Sequence, residues 1–177
     1  MEPLEITERI KDRFPDEVMD IIEFRDQLSV VIKKERIVEI CRWLHDEPDL
    51  RFDYLKDICG VDYLAKKPVR FEVVYTLYSM KNRHMLRLKA AVGEDEPSID
   101  SVVPVWIGAN WHERECYDMY GIRFTGHPDL SRVLMPEDWE GHPLRKDYPE
   151  GGPERQWQGF QEVLDKAKKF KEFSWKG

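Results

Sequence analysis

The chain is 177 residues long, with 41% hydrophobic residues, 36% charged residues and a formal net charge of −7. This size suits one domain that buries about two thirds of its surface, and the composition is that of a globular chain, not a disordered or fibrous one. An acidic surface is a poor match for a polyanion, whose affinity rests on neutralised phosphates, so nucleic acid is not an expected partner.

Cys41, Cys59 and Cys116 are too few and too far apart for a disulfide framework or a Cys-x-x-Cys metal or iron-sulfur motif, which points to a reducing compartment. No stretch approaches the roughly 18 apolar residues of a membrane span, and the first residues lack the basic-then-apolar order of a secretion signal. The expectation is a soluble chain that can sit on a membrane complex.

Leu4, Ile6, Ile10 and Phe14 lie near helical spacing, and two short apolar runs around residues 18–24 and 28–33 flank a turn, so the chain opens as helix then hairpin. Ile37, Ile40, Cys41 and Leu44 form the i, i+3, i+4, i+7 stripe of an amphipathic helix, which Pro48 ends because the residue before proline disfavours the helical region. An extended segment starts near Phe52 and Tyr54. Val69, Phe71, Val73, Tyr75 and Leu77 alternate with mostly polar residues as a half-buried strand, and its partner carries Leu86, Leu88 and Ala90. Residues 93–101 read as an acidic surface loop.

A helix is expected over 107–120, with Gly121 placed to cap it in the left-handed conformation. Five prolines and four glycines in residues 122–153 exclude a long helix there and predict an extended ribbon. Trp157, Phe160, Val163, Leu164, Ala167 and Phe170 then recur at helical spacing. The tail from 153 onward carries six Lys/Arg against four Asp/Glu, a local +2 that leaves −9 on the rest. The expected fold is α+β, a two-layer domain of helices on a mostly antiparallel sheet. Its parts are the domain at 1–121, a docking ribbon at 122–153 and an amphipathic tail at 154–177.

On a helical projection Ile107, Trp111, Arg114, Glu115 and Asp118 share one face, while Ala109, Glu113, Cys116, Tyr117 and Tyr120 share the other. Arg114 can pair with Asp118 at i+4, which on an exposed helix is worth only about 0.2–0.5 kcal/mol. The same charges covered by a neighbouring chain would fix register and partner choice. Two Gly-His-Pro units, at 126–128 and 141–143, hold His127 and His142 on stiff loops suited to hydrogen bonding or, alternatively, to acid–base work. Asp129 and Arg132 follow the first unit. Trp139, Arg145, Lys146, Asp147 and Tyr148 surround the second, and Arg, Tyr and Trp are the types enriched at interface hot spots.

A metal site would need His112, Cys116, His127 and His142 together, without any close-spaced second pair of ligands. Ser131 and Cys116 are conceivable nucleophiles, but no Gly-x-Ser-x-Gly element or electropositive setting supports them. Phosphate-loop and dinucleotide glycine patterns are absent from the sequence.

Glu113-Arg114-Glu115 with Asp118, Gly121-Ile122 with Phe124, Gly-His-Pro-Asp-Leu at 126–130 and Gly-His-Pro-Leu-Arg-Lys-Asp-Tyr-Pro at 141–149 together resemble the C-type subunit of proton-translocating NADH:quinone oxidoreductase, respiratory complex I. Ser131 departs from the basic residue more often found before Arg132 in that family. The resemblance implies a cofactor-free structural subunit of the hydrophilic arm, supporting the D-type subunit beside the quinone site. FMN, iron-sulfur clusters and quinone would lie in partner subunits. It also implies a peripheral position on the cytoplasmic side of the inner membrane. The implied partner-binding residues are Glu113, Arg114, Glu115, Asp118, His127, Asp129 and Arg132, then Trp139, His142, Arg145, Lys146, Asp147 and Tyr148, with Trp157 and Phe160 in the tail. Alternatives are the equivalent subunit of a related hydrogenase, ferredoxin- or deazaflavin-dependent complex, and a free-standing His/Asp hydrolase.

Overall fold

The computed structural model describes residues 3–25, 27–150, 152, 162–163 and 165–169. Helix α1 (Pro3–Arg13) begins at a proline, whose missing N–H is no loss in a first turn, and carries Lys11 and Arg13 at its carbonyl end. Its buried stripe is Ile6, Thr7 and Ile10, continued by Phe14 just beyond its end, whereas Leu4 points out at 59% exposure. Strands β1 (Val18–Phe24) and β2 (Gln27–Ile32) form the expected hairpin. Helix α2 (Ile37–Asp46) buries Ile37, Ile40, Cys41 and Leu44, and Glu47 leaves it with extended backbone before Pro48.

Strands β3 (Tyr54–Asp62), β4 (Phe71–Tyr78) and β5 (Met85–Val92) complete a five-stranded sheet ordered β1-β2-β5-β4-β3. All its pairings are antiparallel except β2 with β5, so the fold is α+β with a mostly antiparallel sheet. A short parallel pair, β6 (Ser98–Asp100) and β7 (Arg123–Thr125), brackets helix α3 (Ala109–Tyr120). One core holds the apolar faces of the three helices against Val30, Ile32, Ile58, Val73, Tyr75 and Leu88 of the sheet. Helices α1, α2 and α3 all pack on this one face of the sheet.

Two segments differ from expectation. The strand read as half-buried begins at Phe71, and seven of its eight residues are buried on both faces. Thr76 and Val74 face the side opposite the three helices, in register with the half-buried Arg87 and Lys89 of β5, whose long stems can lie along the sheet. The acidic loop also contains β6, because Ile99 is drawn into the core opposite Phe124.

Gly60 decides how closely α3 can approach β3. A Cβ built there would sit 2.6 Å from Cδ2 of the Tyr120 ring, closer than carbon atoms can approach. The absence of a side chain lets that ring lie directly on the strand.

Candidate docking site

Four backbone carbonyls at the C-terminal end of any α-helix lack partners within the helix. In α3 all four are satisfied, three of them by the ribbon that follows. The Gly121 N–H donates to Tyr117 O at 2.8 Å, with Gly121 in the left-handed conformation at φ +73°. Nδ1–H of His142 donates to Asp118 O at 3.0 Å, the Leu144 N–H to Met119 O at 3.1 Å, and Nε–H of Arg145 to Tyr120 O at 2.7 Å. Arg132 and Arg145 add positive charge where the helix dipole is negative. The Pro/Gly-rich ribbon is therefore a strap lying on its own domain, not a free arm.

Asp118 is the centre of this arrangement. Its side chain is fully buried; Oδ1 meets Nη1 of Arg132 at 2.6 Å, and Oδ2 accepts the N–H groups of Val133, Leu134 and Met135 at 3.0, 2.8 and 2.8 Å. Burial alone would raise its carboxyl, but the Met135 N–H, the Arg132 guanidinium and the Leu134 and Val133 N–H groups hold it below the ordinary carboxylate range. Arg132 also donates to the carbonyls of Trp139 and Gly141 at 3.0 and 3.1 Å, gathering the strap into a loop.

Arg114 does not pair with Asp118. Its guanidinium donates to Ser131 O, Ser131 Oγ and Arg132 O at 3.0–3.1 Å and lies 4.9 Å from the centre of the Trp111 ring. Glu113 turns into the core, fully buried, and accepts Ser101 Oγ–H at 2.6 Å and the Val102 N–H at 2.7 Å. Burial pushes its carboxyl up to about 7 against the opposing pull of those two donors. The helix face expected to dock through charge is thus largely internal. Glu113 and Asp118 have no surface to offer a partner, so any docking passes to the loops they hold. Glu115 stays exposed beside a small cavity lined by Asp57, Cys59, Gly60, Tyr120 and Leu144.

The strap's far end is clasped at Arg70, which is 5% exposed. Its guanidinium makes a bidentate pair with Asp62 at 2.9 and 3.1 Å, a second with Asp147 at 2.6 and 3.1 Å, and a contact with Glu94 at 2.5 Å. The pair with Arg70 holds the Asp147 carboxyl below its ordinary range. Lys146 donates its backbone N–H to Asp62 at 2.9 Å, so its exposed ammonium takes no part in the clasp. The Tyr148 hydroxyl donates to Glu140 O at 3.2 Å, and its ring fills the space beside Gly141, whose φ of +84° favours glycine.

His127 donates from Nε2 to Asn110 O at 3.2 Å and accepts the Asp129 N–H at Nδ1 at 3.0 Å, a combination that only the neutral ring with its proton on Nε2 satisfies. Asp129 itself is exposed and accepts the Ser131 hydroxyl at 3.4 Å. Trp139 is half-buried on the strap. His112, Cys116, His127 and His142 each take a different protein partner, and among the described residues no group of three potential ligands gathers around a metal position. Burial pushes the Cys116 thiol well up, the opposite of what a nucleophile needs. Trp157 and Phe160 lie outside the described residues; of the tail, residues 162–163 and 165–169 are helical and exposed.

Asp62, Arg70, Glu94 and Ser101 carry this architecture and were not legible as site residues. Each is an isolated polar residue at a strand end or in a loop, and Arg70 sits in an alternating pattern where a charge reads as facing solvent.

Fold and site define an α+β domain with helices α1–α3 on one face and a charged strap bonded over the end of α3, and no helix among the described residues is long and apolar enough to cross a membrane. The chain belongs to the family described as respiratory-chain NADH dehydrogenase, 30 kDa subunit, whose model matches residues 30–154. It is 55% identical over 149 residues to the C-type subunit of NADH-quinone oxidoreductase from Roseiflexus sp. (strain RS-1), covering 84% of this chain and 85% of that one. To the counterpart of the same name in Geobacter sulfurreducens it is 49% identical over 148 residues, covering 84% and 90%. Among solved structures, a trypsin-resistant fragment (1–134) of Nqo5 superposes with a TM-score of 0.62 at 32% identity, covering 73% of this chain and all of that one. A chain of an archaeal membrane-bound sulfane sulfur reductase shares the fold with a TM-score of 0.70 at 19% identity, covering 93% and 92%.

Proposed function

We propose that this chain is a structural, non-catalytic subunit of proton-translocating NADH:quinone oxidoreductase that holds the D-type subunit and its hydrophilic-arm neighbours on the cytoplasmic side of the membrane. FMN, iron-sulfur clusters and quinone belong to the partner subunits in this reading. The observation that carries it is the strap. Asp118 of α3 and the strap's Arg132, His142 and Arg145 are committed to shaping backbone, which leaves a preformed surface of Asp129, Leu134, Glu137, Leu144 and Lys146. A rigid surface avoids much of the ordering entropy that weakens association. The thiols of Cys41 and Cys116 are buried and pushed up by that burial, so neither is set up as a nucleophile. The sulfane sulfur reductase likeness concerns the fold alone and does not select an electron donor.

Native mass spectrometry of the tagged chain purified from a gently solubilised membrane extract tests this reading. The D-type subunit and other NADH:quinone oxidoreductase chains should travel with it, while the isolated chain should hold neither flavin nor iron. A stoichiometric prosthetic group on the isolated chain, or turnover of a hydrolysable substrate lost on His127→Ala, would overturn it.

A further inference from the structure

The face of the sheet opposite the helices is built like the centre of an interface. Tyr54, Tyr78 and Met85 stand in one register row across β3, β4 and β5, and the parallel β2–β5 register carried back two residues brings Gln27 and Phe24 into the same row. Phe24 is 66% and Tyr54 49% exposed. The next two rows place Arg87 and Lys89 at the middle of the face, flanked by Thr76 and Val74 on one side and by Ser29 and Val31 on the other. Both cations are half-buried, and neither makes an ion pair among the described residues. The carboxylates of this face lie toward its edges and are engaged. Glu72 is bound by Lys67 at 2.9 Å, Asp57 faces His112 at 3.4 Å, and Asp20 accepts its neighbour's N–H at 2.8 Å.

We propose that an acidic surface of a partner protein in the assembly sits on this sheet face, with its carboxylates on Arg87 and Lys89 and its apolar side chains on the Phe24–Met85–Tyr78–Tyr54 row. The inference rests on the reading of the chain as an assembly subunit and adds the face and the charge of the partner. Charge selects among occupants. The chain's own tail is +2 and would bring lysines to two cations that make no ion pair among the described residues. A second copy docked face to face about a two-fold axis would oppose Arg87 and Lys89 to themselves. A nucleic acid would face a chain of net charge −7. Strand spacing and rise give the three rows a plane of roughly 20 by 15 Å, well under the ~800 Å² of a standard partner footprint. The face is therefore the centre of a larger contact that extends over the turns at its edge.

The test uses the full chain expressed in its host membrane system. Arg87→Glu/Lys89→Glu should fold with unchanged circular dichroism but be retained in the purified assembly at least about tenfold less than wild type, whereas Arg87→Lys/Lys89→Arg and the helix-side control Lys11→Glu should be retained normally. Lysine acetylation needs no variant: Lys89 should label readily in the free chain and be protected at least about tenfold in the assembly. Normal retention of the charge-reversed chain, equal labelling of Lys89 in both states, or binding of a polyuridine oligonucleotide at physiological salt would overturn the proposal. If the wild-type chain brings down an assembly other than NADH:quinone oxidoreductase, the proposed function fails while Lys89 protection in that assembly still decides this inference.

Discussion

Asp118 shows why a buried charge can define a structure. It meets one guanidinium and three backbone N–H groups, so every lone pair lost to solvent is replaced. Asp118→Asn should destabilise the isolated chain by about 3 kcal/mol, since an amide N–H₂ would face Arg132 and leave that cation without its carboxylate. Urea unfolding measures this directly, and a change under about 1 kcal/mol would mean that the pair behaves as an exposed one. Glu113 has the opposite character. Its carboxyl titrates near 7 when folded, above the ordinary 4.5, so the folded chain holds that proton more tightly than the unfolded chain. The stabilisation is complete below about pH 4.5 and is lost as pH rises toward 7. Glu113→Gln should keep both polar contacts and remove this slope, so that its stability relative to wild type improves by roughly 2–3 kcal/mol between pH 5 and 8. A pH-independent difference between the two proteins would exclude Glu113 as the source.

At the level of elements, the last turn of α3 and the strap form one unit, because each supplies what the other lacks. The helix end offers orphan carbonyls and the strap offers Gly121, His142, Leu144 and Arg145 as donors. Gly121→Ala puts a Cβ 2.6 Å from both the His142 ring and the Arg145 guanidinium, at a φ of +73° that side chains resist. It should release the strap, raising amide exchange across 142–148 by about tenfold or more, with a stability loss of about 1–2 kcal/mol. Exchange that rises equally in α2 would show global unfolding instead. Burial holds His142 below its ordinary value, with Arg145 and Arg132 acting in the same direction. The strap's attachment through that ring is therefore complete above about pH 6.5 and weakens as pH falls through the lower folded value, the reverse of the Glu113 trend. Amphipathic α2 and the Gly121 cap could be read in the chain, since one follows from spacing and the other from a backbone requirement. The twofold burial of β4 could not, because its central place between β3 and β5 in the sheet is set by the assembled fold and not by its own alternation.

For the whole molecule, the strap closes on both α3 and the Arg70 clasp before residue 150, which makes the body self-contained up to that point. A chain ended at residue 152 should melt within about 2 °C of the full chain, a shift that corresponds to under about 1 kcal/mol at this size. It should also be retained less well in the assembly if the basic tail contributes to docking. Aggregation of the shortened chain would assign the tail to the core. The α+β class, the positions of α1, α2 and α3, the non-helical strap and the family resemblance were all present in the linear order of residues, because periodicity, proline, glycine and motif spacing act locally. The partners of the charges were not. Nothing in the spacing of Arg114, Asp118 and Arg132 distinguishes an i+4 surface pair from a bond across 14 residues, and nothing near Arg70 announces Asp147, 77 residues away. Those choices fall to the folded chain, since the stability of a charge depends on which groups burial brings around it and not on its neighbours in sequence.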